Sequence, residues 1–283
     1  MVKLGLIGIS ISQSRAPSLH MTLGEMFDIP VNYELCEPET NSPEAFAAML
    51  QRLRDEGFAG TNVTFPFKTL AVEYTNEVNE SVRKMGATNT LRLKDGVQAF
   101  NTDYTGFVRG YQSRFGNAAA GKVLMIGAGG VGRAVAFGLF DLGATEVLIC
   151  DLNPASAEAL VTALKVEGYN ARVVAFADME EASRDVDGLV NCTPVGHYKT
   201  PGSPLKADCI GGQNWAFDAV YTPMDTEFLV ECHKKNVQIV SGYDLFFYQG
   251  VDAFEIFTGH KVEDDRAALE FFSNKYNITS SLF

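Results

Sequence analysis

The sequence predicts an α/β protein of two domains, a small α/β domain followed by a doubly wound, Rossmann-type domain. Three observations carry this. Apolar runs of strand length alternate with amphipathic runs of helix length along nearly the whole chain. The stretch Lys122 to Phe140, KVLMIGAGGVGRAVAFGLF, reads as strand, glycine turn and helix without a break. A chain of 283 residues is also long enough to build two separate cores.

In the first hundred residues, Leu4 to Ile9 reads as a strand, Pro17 to Phe27 as a helix and Val31 to Cys36 as a second strand. Pro43 to Glu56 is an amphipathic helix with Phe46, Met49, Leu50 and Leu53 on one face. Gly60 to Thr64 is a third strand, after which Pro66 and Phe67 open a helix that carries Lys68. A further short helix leads to a hairpin, Thr88 to Leu93 and Val97 to Phe100, turned at Asp95-Gly96.

From Tyr104 to about Arg114 a helix leads through the small-residue linker Gly116 to Gly121 into the glycine strand. Strands then follow at Glu146 to Cys150, Ala171 to Ala175, Gly188 to Cys192, Trp215 to Val220 and Val237 to Val240. Helices fall after Asn153-Pro154 and over Thr226 to Lys235. Two last helices, Leu245 to Phe257 and Glu263 to Tyr276, have apolar faces that need a partner, and docking back on the first domain supplies one. The expected division is residues 1–103, 104–242 and 243–283.

The glycine stretch points to a dinucleotide. Gly127, Gly129 and Gly132 satisfy G-x-G-x-x-G: the first allows the tight turn, the second lets backbone approach a pyrophosphate, and the third lets helix pack closely on strand. The turn Gly127, Ala128, Gly129, Gly130, Val131, Gly132 would then offer free N–H groups and a positive helix end to the phosphates. Asp151 follows Gly127 by 24 positions and ends the next strand, where an acid accepts from the adenosine ribose hydroxyls. That acid repels a 2′-phosphate, and Leu152 and Asn153 supply no arginine to receive one. NAD is therefore expected in preference to NADP.

Charge and composition exclude other classes. A net charge of −12 with no basic cluster argues against a nucleic-acid partner. No apolar run approaches membrane-spanning length, and the N-terminal run is too short for a signal peptide, so a cytoplasmic enzyme is expected. Five scattered cysteines without C-x-x-C spacing read as reduced packing residues, and the histidines lack metal-ligand spacing, so no metal is expected.

The runs ISQSRAPSLH, GTNVTFPFK, GATNTL, NTDYTG, GAGGVG, NCTPVG, DAVYTP and GYDLFFYQG occur in this order along nearly the whole chain. Together they resemble the shikimate dehydrogenase family, and the acid at Asp151 is similar to its NAD-using shikimate/quinate branch. The resemblance implies reversible oxidation of the 3-hydroxyl of shikimate, and of quinate, to the ketone. It makes Lys68 and Asp103 the catalytic pair. A lone lysine is ordinarily a surface residue beside a carboxylate, but at the start of a helix Lys68 is placed to give and take a proton. The resemblance puts Ser14 on the substrate carboxylate, Thr64, Asn89 and Asp103 on the ring hydroxyls, Tyr221 near the carboxylate, and Gln249 over the site. It puts Thr193, Ala219 and Gly242 along the nicotinamide half, largely through backbone. His20 packs as a structural residue.

Two departures stand out. Ala16 replaces a second hydroxyl donor to the carboxylate, a bond worth about 1.5–3 kcal/mol unless Arg15, a water or Tyr221 compensates. Asp244 and Leu245 replace a Gly-Met pair. They suggest one rival, a dehydrogenase of the same fold for another cyclic hydroxy acid; similar architecture also suits a methylene-tetrahydrofolate dehydrogenase, against which NVTFPFK and NTDYTG argue, and a non-catalytic NAD-responsive binding protein is disfavoured by Lys68 and Asp103. A small hydroxy acid is the expected partner, and the sequence is compatible with a homodimer.

Overall fold

Leu4 and Leu6 face one side of β1 (Val2–Ile7) and Ile7 the other, and each side is covered by a helix of the same unit. This is the centre of the first of two units in a computed structural model that describes residues 1–282. The unit continues through α1 (Ala16–Met26), β2 (Val31–Cys36), α2 (Pro43–Asp55), β3 (Gly60–Val63), β4 (Glu77–Val78), α3 (Glu80–Met85), β5 (Thr90–Arg92) and β6 (Gln98–Phe100). The sheet order is β2-β1-β3-β5-β6-β4. β1 runs parallel to β2 and β3, whereas β5 is antiparallel to both β3 and β6. Consequently the C-terminal ends of β1, β3 and β6 and the start of β5 share one edge of the sheet.

α2 forms where its pattern says it should. Ser42 accepts from the Ala45 N–H as N-cap, and Pro43 occupies the first turn, where its missing N–H costs nothing. Phe46, Leu50 and Leu53 are buried against Ile7, Val63, Phe67 and Leu91, each such side chain contributing about 1.5–3 kcal/mol.

The second unit runs from Asp103 to Phe246 and includes the chain from Ser280 onward. Its elements are α4 (Thr102–Phe115), whose first residue still belongs to the first unit, then β7 (Gly121–Ile126), α5 (Gly130–Asp141), β8 (Ala144–Cys150), α6 (Pro154–Val166), β9 (Ala171–Val173), α7 (Met179–Ala182), β10 (Gly188–Asn191), β11 (Trp215–Asp218), α8 (Glu227–Lys234) and β12 (Gln238–Ser241). The sheet is parallel throughout, in the order β12-β11-β10-β7-β8-β9. The chain builds outward from β7 in one direction and from β10 in the other. Their boundary is the switch point where doubly wound sheets bind ligands.

α9 (Gly242–Thr258) begins in the second unit, but from Phe247 it belongs to the first, together with α10 (Asp265–Lys275). Ala253 and Phe257 pack with Leu4, Leu6 and Tyr33, so the C-terminal helices do return to the first core. α9 starts earlier than the expected Leu245. Ser241 and Asp244 form a reciprocal capping pair: Ser241 N–H donates to Asp244 Oδ2 at 2.9 Å and Asp244 N–H to Ser241 Oγ at 3.2 Å. β1 ends at Ile7, not Ile9, because the Ile9 N–H turns to the Phe65 carbonyl.

Among the described residues no helix is long and apolar enough to cross a membrane. None of the five cysteines is in a disulfide, and all but Cys192 are fully buried.

Candidate active site

In the first unit, Ser14, Thr64, Lys68 and Asn89 all lie at the edge where β1 and β3 end and β5 begins. Backbone bonds lace these segments together. Thr64 N–H donates to Ile7 O at 2.9 Å, Val63 N–H to Asn89 O at 2.8 Å, and Thr88 N–H to Lys68 O at 2.8 Å. Asn89 is 3% exposed, and its Oδ1 accepts from the Thr102 N–H (2.7 Å), Thr102 Oγ1 (3.2 Å) and Thr90 Oγ1 (3.0 Å). A backbone N–H can only donate, so the oxygen is the end turned to α4, and Nδ2 is left as a donor with no partner among the described residues. The same bonds fix the first turn of α4, which carries the buried Asp103.

Lys68 is not on a helix. Phe67 N–H closes a turn onto Thr64 O at 2.9 Å, and only a short 3-10 segment, Leu70–Tyr74, follows. The helix-end argument for Lys68 therefore falls; its place at the strand edge stands. Ser14 Oγ accepts from the Ala16 N–H at 3.2 Å, cap-like duty that leaves its hydrogen free to donate. Ala16 is buried with Leu4, Leu6 and Ile11, and the exposed Arg15 guanidinium makes no bond to any described residue. Gln249 sits on α9 just before Gly250, whose Cα lies against Leu19 of α1.

Beneath this edge lies a polar layer that sequence reasoning missed. Asn62 Nδ2 donates to Asn89 O (3.2 Å) and Thr90 Oγ1 (3.1 Å), while its Oδ1 accepts from Tyr33 OH at 2.8 Å. His20 stacks on Tyr33 with centroids 4.8 Å apart, and neither ring nitrogen has a hydrogen-bond partner of proper geometry, although Asn62 is near enough to oppose its shift slightly. Burial holds its pKa down to about 3, so it is neutral and structural, as expected.

In the second unit, Gly127, Asp151, Thr193, Ala219 and Gly242 each follow the end of a parallel strand, in β7, β8, β10, β11 and β12 respectively. Gly127 has φ +100°, and a Cβ there would stand 2.7 Å from Cys192 backbone; on Gly132 it would collide with the Gly127 carbonyl. Next to Gly129, by contrast, the space is open. α5 begins at Gly130 with no side chain capping its N–H groups. Open space, uncapped donors and an acid at the neighbouring strand end fit a dinucleotide. Asp151 is itself oriented: Oδ2 accepts from the Ala128 N–H at 2.7 Å and Oδ1 from the Asn153 N–H at 2.8 Å. Leu152 beside it is 80% exposed.

Tyr221 stacks on Phe246 at 5.1 Å, and Gly242 opens α9. Asp244, one of the two departures, is accounted for locally: it is 1% exposed, caps α9 and pairs with Arg114 at 2.9 Å. Among the described residues no group of three or more His, Cys, Asp or Glu could hold a metal ion.

Comparison with known proteins agrees with this geometry. Residues 6–91 match the shikimate dehydrogenase substrate binding domain, and residues 110–200 match the shikimate/quinate 5-dehydrogenase family. A quinate/shikimate dehydrogenase (NAD(+)) of Corynebacterium efficiens is 35% identical over 96% of this chain and 98% of its own. A shikimate dehydrogenase (NADP(+)) of an Arthrobacter species is 32% identical over 95% and 93%. The structure of quinate dehydrogenase from Corynebacterium glutamicum in complex with NAD superposes with a TM-score of 0.90 at 31% identity, covering 96% of this chain and 99% of that one. Matching domains in order, and such relatives along almost its full length, make the chain a member of the shikimate dehydrogenase family.

Proposed function

We propose that this dehydrogenase interconverts shikimate and 3-dehydroshikimate, and quinate and 3-dehydroquinate, with NAD in preference to NADP. The observation that carries the reading is the gathering of Ser14, Thr64, Lys68 and Asn89 at one sheet edge, beside the start of the helix that bears Asp103. Ser14 donates to the substrate carboxylate, with Tyr221 near it. Asn89 Nδ2, the Thr64 hydroxyl and Asp103 hold the ring hydroxyls, and Gln249 closes over them. In ketone reduction the Lys68 ammonium gives the proton to the oxygen, and in the reverse direction the same nitrogen takes it, with Asp103 keeping lysine and hydroxyl in line. When bound, the nicotinamide cofactor supplies the hydride acceptor for the carbon that bears the hydroxyl.

Asp151 supports the cofactor preference. Its carboxylate is held at the strand end by two backbone N–H groups, and the following Leu152 and Asn153 offer no arginine to a 2′-phosphate. Relatives of both kinds exist, so the choice rests on these residues. Initial rates with shikimate and quinate, each with NAD and NADP, test the reading. NAD is expected to give a kcat/KM higher by about tenfold or more, and Asp151→Ala to narrow that ratio. Equal or better use of NADP by the wild type would overturn the preference. Turnover of neither acid would overturn the substrate assignment.

A further inference from the structure

We infer that Asp218 is a positioning residue for the cofactor: as a carboxylate it ties together the loops after β10 and β11 in the form that receives the nicotinamide half, and on protonation it slackens them. The inference rests on the reading that Thr193 and Ala219 line that half.

The geometry is a closed chain of bonds within the second unit. Asp218 is fully buried at the end of β11. Its Oδ1 accepts from Asn191 Nδ2 and from the Val220 N–H, both at 2.9 Å, and its Oδ2 accepts from Thr226 Oγ1 at 2.7 Å. Asn191 passes the constraint on. Its Nδ2 also donates to Val195 O (2.9 Å), while its Oδ1 accepts from the Thr193 N–H (3.0 Å) and Thr193 Oγ1 (2.7 Å). Thr193 Oγ1 in turn accepts from the Val195 N–H, and Asn191 O from the Ala219 N–H at 2.8 Å. One carboxylate thus fixes the loop of Thr193, the turn of Ala219 and Val220, and the start of α8.

Every partner of Asp218 is a donor, which suits an anion. A proton on either oxygen removes one acceptor position. The backbone N–H and the Asn191 amide cannot reverse; only Thr226 can, and its oxygen already accepts from the Leu229 N–H. Protonation therefore loosens the hold on Asn191 and Thr193: a proton on Oδ1 displaces one of its two donors, and a proton on Oδ2 turns the Thr226 hydroxyl away and removes the charge that strengthens the bonds to Oδ1. Burial lifts this carboxyl to about 7, against which the three donors pull only in part, so the change falls in a measurable range.

Among the described residues no charged side chain bonds Asp218, and the nearest charges, Glu231 and Lys235 on and after α8, lie about Cys232. The Cys192 thiol after β10 and the Cys232 thiol on α8 are both pushed up in pKa by burial, the latter to about 12, and stay neutral. Asp225, beside Thr226, bonds Ser280 and Ser281, and Asp244 on α9 pairs with Arg114. His197, further along the Thr193 loop, accepts from the Lys199 N–H through Nδ1.

The test is titration of the protein with NADH, followed by nucleotide fluorescence, from about pH 5.5 to about pH 8.5. For the wild type the dissociation constant should rise by about tenfold on acidification, with a midpoint near neutrality. Asp218→Asn keeps the shape and places an N–H₂ where the proton would be. It should bind weakly at every pH, meeting the wild-type curve at the acid end. Thr226→Val removes a donor that favours the anion and should move the midpoint upward, whereas Thr226→Ser should restore it. A purely structural role would instead lower affinity by one factor at all pH values. A wild-type pH profile retained in Asp218→Asn would assign the titration to another group, such as His197, and overturn the inference. An unmoved midpoint in Thr226→Val would do the same. Failure of NADH to bind the wild type at any pH would overturn the cofactor reading as well.

Discussion

His20 shows how a single residue can couple the core to pH. Its imidazole is fully buried, stacked on Tyr33 and without a hydrogen-bond partner of proper geometry, and burial lowers its pKa from 6.5 to about 3. A folded-state pKa below the unfolded one means that the stabilising contribution is complete above pH 6.5 and is lost as pH falls toward 3. The gap corresponds to an upper bound of about 5 kcal/mol. His20→Phe keeps the ring and removes the proton site. Its urea midpoint at pH 7 should stay near the wild-type value, and at pH 4 it should lie clearly higher; equal acid sensitivity in both proteins would count against this account. The histidine was legible in the sequence as structural only through the family resemblance. Its lack of a proper hydrogen-bond partner was not, since Tyr33, Asn62 and Phe257 are brought to it only by folding.

At the scale of elements, strand ends carry the chemistry and caps decide where helices begin. The strands were readable from apolar runs and the glycine turn from its spacing, because both signals are local. Two helix starts were not. The Lys68 segment looked like a helix opened by proline, but the turn closed by Phe67 on Thr64 delays any helical backbone until Leu70. α9 was expected from Leu245 and begins at Gly242, because Ser241 and Asp244 cap each other, a four-residue signal that was present and went unread. The same pair explains one departure from the family pattern. Asp244 is a buried anchor bonded to Ser241 and to Arg114, whose side chain is 33% exposed and so partly screened. Asp244→Ala should therefore cost about 2–4 kcal/mol in urea unfolding, less than a fully buried pair would. A loss below about 0.5 kcal/mol would show that the cap and ion pair contribute little.

For the molecule as a whole, the all-parallel sheet of the second unit follows from the βα alternation, and the C-terminal helices return to the first core as their unpartnered apolar faces required. What stayed hidden were contacts between residues far apart in sequence. Asn191, Asp218 and Thr226 read as unremarkable polar residues at strand and helix ends, yet they form one buried network beneath the loops that follow β10 and β11. Likewise Asn89 appeared only as a family position, and its buried oxygen ties the start of α4 by accepting from the Thr102 N–H and hydroxyl. On the proposed reading, Lys68 is the group that exchanges a proton with a ring hydroxyl in a nicotinamide-linked dehydrogenase. The most direct measurement is the initial rate of NADH formation from NAD and shikimate for the wild type and for Lys68→Ala, alongside shikimate affinity by calorimetry. The wild type should turn over readily and kcat should fall by about 10²–10⁴-fold in the variant, with shikimate binding weakened far less. A Lys68→Ala enzyme that kept its turnover within about tenfold of the wild type would contradict it.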